Sequence, residues 1–137
     1  MTGIGSDDVK LLRTLAATCG FLAVAAAAHA HHSGAMFDRT KQVTIAGTVK
    51  EFNWTNPHAS FAIETMNADG STALWGVEMN SPNNLVREGW TRTTINAGDK
   101  VQVLINPLRD GKPGGVYVGI TLPSGKYIGA APAKATY

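Results

Sequence analysis

Three of the four histidines stand within four residues of one another, at His29, His31 and His32, and the fourth, His58, follows an Asn56-Pro57 step. An imidazole next to a free α-amine forms a metal chelate, but only if the chain begins at that histidine. The residues upstream supply the means. Lys10 and Arg13 precede an apolar run from Leu15 to Ala28, which meets Ala28-His29-Ala30. A basic stretch, a short apolar run and an A-x-A site are the signature of a secretory signal peptide. The run falls short of the roughly twenty residues that cross a bilayer. Residues 1–30 are therefore expected to be a signal peptide, and 31–137 a single mature domain starting at His31.

A terminus at His31 offers an amine and an imidazole, to which His32 and His58 can add further imidazoles. An amine with two imidazoles in a T-shape is the copper site called a histidine brace. Nitrogen donors of this kind favour Cu(II), which tops the divalent affinity order. The α-amine titrates near 8, so a metal displaces its proton at modest cost at neutral pH. Cleavage after Ala28 is the alternative, and it gives His29-Ala30-His31, whose third-position histidine binds Cu(II) or Ni(II) through the amine and two amides. The competing reading is that these histidines are merely solvated and that His58 caps a loop. The expected metal ligands are His31, His32 and His58, and the expected ion is copper.

The rest of the composition removes other chemistries. The only cysteine, Cys19, lies inside the signal, so neither a disulfide framework nor a Cys-pair zinc ribbon is available. A net charge of +2 and an exported location argue against nucleic acid. No membrane anchor is expected after cleavage. A metal ion or an envelope protein is the expected partner. No Gly-rich phosphate loop, nucleophile elbow or helical metalloprotease motif marks an enzyme. Glu78 lacks a second carboxylate at a supportable spacing, and reads as a loop anchor or as a partner of Arg87 or Arg92. Trp54, Phe61, Trp75 and Trp90 could stack on a sugar or base, but tryptophans alternating on short strands read first as core. Met36, Met66 and Met79 could serve Cu(I), though scattered methionines read as packing.

The elements that position these residues are mostly strands. Val43, Ile45, Gly47 and Val49 alternate with polar neighbours in a strand that runs toward Trp54. Thr55-Asn56-Pro57-His58 breaks it. A second strand carries Phe61 and Ile63, and Asn67-Ala68-Asp69-Gly70 turns it into a third with Ala73, Trp75, Val77 and Met79. Ser81-Pro82 starts a short helix over Pro82 to Glu88 that Gly89 ends. Val101, Val103 and Ile105 form a fourth strand, and Val116, Val118, Ile120 and Leu122 a fifth, with Lys126 to Ile128 extending it after a turn. Three strands, a helix and two strands is the element order of the OB-fold, a five-stranded, partly open barrel. The fold class is all-β with one short helix. Val49, Phe61, Ile63, Trp75, Val77, Val101, Val103 and Val118 are the expected core.

Several phrases carry a resemblance: His31-His32-Ser33, Met36-Phe37-Asp38, Trp54-Thr55-Asn56-Pro57-His58, Trp75-Gly76-Val77-Glu78, Ser81-Pro82-Asn83, Gly89-Trp90-Thr91 and Gly98-Asp99. Together they resemble a family of small exported proteins of Gram-negative bacteria, catalogued as a domain of unknown function. The resemblance implies a periplasmic location and a single small β domain. It brings no activity or set of functional residues. The functional expectation is a periplasmic binding module for copper or another transition metal; the alternative is a metal-free interaction domain of the cell envelope.

Overall fold

The computed structural model describes residues 34–131, and the folded unit runs from Met36. The expected signal peptide, together with His31 and His32, lies outside the described residues. After a 3-10 turn at Gly34–Met36 come β1 (Val43–Asn53), β2 (Ser60–Met66), β3 (Thr72–Glu78), α1 (Pro82–Arg87), β4 (Lys100–Pro107), β5 (Gly114–Thr121) and β6 (Tyr127–Gly129). β1 pairs antiparallel with β2 on one side and β4 on the other. β2 pairs with β3, β4 with β5 and β5 with β6, all antiparallel. Parallel pairing of β3 with β5, over Gly76–Glu78 and Gly114–Val116, closes the ring. The protein is a closed five-stranded OB-like barrel with one extra strand, β6, beside β5.

β1 is long enough to serve both neighbours because it curves. Its first half pairs with β4 and its second half with β2. Gly47 stands where β1 passes close to β2, and a Cβ there would lie 2.3 Å from the Glu64 carbonyl oxygen. A bulge between Val49 and Glu51 sets Lys50 out of register. The inward face then moves from Ile45 and Val49 to Phe52, as a bulge requires when it adds one residue to one strand.

Val49, Phe61, Ile63, Val77, Val101 and Val103 are buried, joined by Leu85, Trp90 and Ile95 from α1 and the loop after it. Two members of the expected core are only partly buried. Val118 lies at a second bulge, where Leu104 pairs with Gly119 and Ile105 with Tyr117, so the alternation read from the sequence breaks and Tyr117 packs on the core instead. Trp75 lies just outside the three-residue stretch over which β3 is closed by β5, and it packs against the core only in part. Trp90 is the largest fully buried side chain. Its ring meets Tyr117 edge-on at 5.4 Å, and its Nε1–H donates to the Tyr117 hydroxyl at 3.1 Å, which donates to the Ile128 carbonyl at 2.8 Å.

α1 ends as expected and begins differently. Gly89 adopts φ +94°, and Trp90 N–H reaches the Leu85 carbonyl while Gly89 N–H reaches that of Val86. This is a Schellman closure, which satisfies two carbonyls the helix would otherwise leave open. At the start, Ser81 occupies the N-cap but its hydroxyl makes no capping bond. The Asn80 side-chain oxygen instead accepts from Ser81 N–H at 2.8 Å and from the Asn84 amide at 2.9 Å.

Candidate functional site

The β2–β3 hairpin decides where His58 stands. Its register pairs Ser60 with Glu78, and the pairing continues past the strand end, with Ala59 N–H donating to Asn80 and Met79 N–H to Ala59. Residues of equal parity share a face of a ladder, so His58 and Glu78 are diagonal cross-strand neighbours. His58 Nδ1 lies 2.8 Å from Glu78 Oε1. A carboxylate only accepts, so Nδ1–H is the donor, and a ring protonated there alone keeps the Nε2 lone pair for another group. The His58 side chain is 51% exposed. The Asn56–Pro57 bond just before it is cis.

Glu78 also lines a depression of about 340 Å³, with Met36, Glu51, Ser60, Ala62 and Gly76. Small residues make room for it, and the Asn53 amide donates to Glu51 at its edge. Met36 is present because the segment it begins is fastened to the β4–β5 loop. Arg109 N–H donates to the Met36 carbonyl at 2.8 Å, and Asp38 N–H to that of Pro107 at 2.8 Å. Phe37 bridges Leu108 and is buried. The Asp38 carboxylate accepts from the Thr40 hydroxyl at 2.6 Å and faces Lys41 Nζ at 3.2 Å. These partners, Thr40 first, hold its carboxyl down to about 2. Asn106 donates from its side chain to the Lys41 carbonyl at 2.6 Å, fixing the far end of the segment.

Of the expected metal ligands, His58 is at the site described here, and His31 and His32 lie outside the described residues. Among the described residues, no three His, Cys, Asp or Glu side chains come together as a metal site. Glu78 bonds neither Arg87 nor Arg92 but His58; Arg92 Nη1 instead donates to the Trp54 carbonyl at 3.4 Å. The His58–Glu78 pair was missed in the sequence although the signal was present, since counting back from the Asp69-Gly70 turn gives the register that joins them. Phe61 and Trp90 are core, and Trp54 and Trp75 are partly buried and pack against it.

A family model described as Family of unknown function (DUF6152) matches residues 19–117, and the chain belongs to that family. No curated protein matches it in sequence. Among solved structures it is similar to a mitochondrial single-stranded DNA binding protein of S. cerevisiae, Rim1, at 17% identity and a TM-score of 0.46, over 60% of this chain and 92% of that one. The selenomethionine-labelled form of the same protein aligns at 22% identity and a TM-score of 0.43, over 60% and 93% of the two chains. These neighbours correct the expectation that excluded nucleic acid as a partner. That exclusion leaned on an expected export and on a net charge of +2, and net charge does not report how charge is spread over one face. The likeness is one of fold, and no nucleic-acid binding is established for this chain by it.

Proposed function

We propose that this protein is a small exported binding module whose ligand is a transition-metal ion, copper first. The ion is held by the amine and imidazole of a mature terminus at His31 and by the imidazole of His58, with His32 as the alternate donor. The observation that carries this reading is the His58–Glu78 bond of 2.8 Å. Metal-ligating histidines typically give their second ring N–H to a carboxylate, which fixes the tautomer and aims the other nitrogen. Here Glu78 does so for a half-exposed ring.

The fastening of Met36 beside Glu78 adds support. His32 precedes Met36 by four residues, at most about 14 Å of extended chain. His31, one residue further, can lie no more than about 18 Å of extended chain from Met36. Each imidazole nitrogen must approach the ion to about 2 Å. An all-nitrogen donor set of this kind favours Cu(II) over the other divalent ions. Removal of the signal peptide makes the amine ligand, so export and metal binding are one event in this reading, and the periplasm is where it takes place.

The experiment is a Cu(II) titration of protein beginning at His31 beside the same protein preceded by one alanine, with intact mass of the exported form measured first. The mass is expected to match a start at His31. One equivalent of Cu(II) should bind tighter than to a short His-His peptide, and the added alanine should weaken it. Retention of Met1, lipid on Cys19, or equal binding by the two forms overturns the reading. The metal-free interaction domain then takes its place.

A further inference from the structure

The segment from Met36 to Lys41 and the β4–β5 loop lie side by side as two turns. Lys41 N–H closes the first onto the Asp38 carbonyl, and Gly111 N–H closes the second onto that of Leu108. Asp38 N–H donates to Pro107, Arg109 N–H to Met36, and the Asn106 side chain to the Lys41 carbonyl, which ties the two together. They carry Arg39, Lys41, Arg109 and Lys112, all exposed. Lys41 and Arg109 both face the Asp38 carboxylate, at 3.2 and 4.0 Å, and Lys112 faces Asp110 at 3.4 Å. Four cations against these two carboxylates leave +2, the whole net charge of the chain.

The apolar side chains exposed beside these cations are aliphatic. Met36 and Val43, 52% and 38% exposed, bracket the first turn. Such a surface complements anionic lipid, where cations meet the headgroups and apolar tips enter the acyl boundary. Single-stranded nucleic acid fits it less well, because that binding draws on exposed rings that stack on bases. The one ring of these turns, Phe37, is buried. We propose that the two turns form a docking surface for an anionic phospholipid bilayer, with Arg39, Lys41, Arg109 and Lys112 on the headgroups and Met36 and Val43 at their edge. The surface needs no metal and stands apart from the reading above. Its contact is peripheral and reversible, since it inserts side chains and no spanning element.

The test is sedimentation with vesicles of phosphatidylglycerol mixed with phosphatidylcholine, beside vesicles of phosphatidylcholine alone, using the protein beginning at His31. Binding is expected on the anionic vesicles and not on the neutral ones, and added salt should release it. Arg39→Glu with Lys112→Glu should weaken it about tenfold or more. Arg87→Glu with Lys126→Glu, the same change of charge outside these turns, should weaken it less than about threefold. Melting curves of both double variants check that the fold is kept. Absence of binding to anionic vesicles, equal binding to neutral ones, or equal losses from the two double variants overturns the docking surface. Binding of a single-stranded oligonucleotide in place of vesicles overturns it also, and gives the turns to nucleic acid.

Discussion

His58 gives its Nδ1 proton to Glu78, and that bond decides which nitrogen faces outward. Both side chains are partly exposed, so the pair contributes under about 1 kcal/mol to stability. Its consequence is orientation. Glu78→Gln should accordingly leave the thermal midpoint nearly unchanged and lower Cu(II) affinity about tenfold to a hundredfold, as loss of an orienting carboxylate does at other metal sites. Parallel melting curves and copper titrations check this; an unaltered affinity would reduce Glu78 to a surface partner. His58 itself was legible in the sequence, because Asn56-Pro57 marks the loop that carries it. Glu78 was not assigned to it, because that diagonal emerges only when the register of β2 and β3 is counted back from the Asp69-Gly70 turn. Trp75 shows the same boundary: its inward parity was readable, but not that β5 covers β3 only from Gly76 onward.

At the scale of elements, strand order and the helix position follow from period-two patterning and two strong punctuators, Pro82 and Gly89. The two bulges do not. Lys50 and Val118 each add one residue to a ladder, which shifts the inward face without any composition signal, and so Phe52 and Tyr117 pack on the core in place of Val118. The ends of α1 give a paired prediction. Ser81 sits at the N-cap without a side-chain capping bond, so Ser81→Ala should cost clearly less than the usual ~1 kcal/mol for losing an N-cap. Gly89 holds φ +94° with two carbonyls of α1 depending on it, so Gly89→Ala should cost about 1–2 kcal/mol, the penalty for a Cβ in the left-handed region. Denaturant midpoints of both variants decide it. A larger loss for Ser81→Ala than for Gly89→Ala would contradict the capping described here.

Over the whole molecule, the barrel is held shut at one end by β3–β5 pairing and braced beside β6 by the chain from Trp90 through Tyr117 to Ile128. Burial of Tyr117 pushes its hydroxyl well above the usual tyrosine value, and Glu88 and Tyr127 add to the rise against the Trp90 bond that opposes it. A hydroxyl that stays protonated in the fold contributes its full stability below the unfolded value near 10 and loses it as pH climbs beyond that, because the unfolded chain sheds the proton first. Stability should therefore fall above about pH 10, and Tyr117→Phe should fall less steeply there while being weaker at neutral pH by about 1–3 kcal/mol for the stranded Trp90 and Ile128 groups. Urea midpoints across the alkaline range test it, and parallel slopes for the two proteins would contradict it. Tyr127, whose hydroxyl is also raised by burial, keeps the decline from vanishing altogether. The same closed barrel brings one fastened segment, a depression lined in part by Glu51 and Glu78, and the His58 imidazole hydrogen-bonded to Glu78 into one region, and the proposal to be tested is that copper binds there through His58. The most direct measurement is calorimetric Cu(II) titration of His58→Ala beside the unsubstituted protein, both beginning at His31. A marked loss is expected, to the affinity of a free His-His terminus; equal affinity in the two proteins would overturn the proposal and leave His58 outside any metal site.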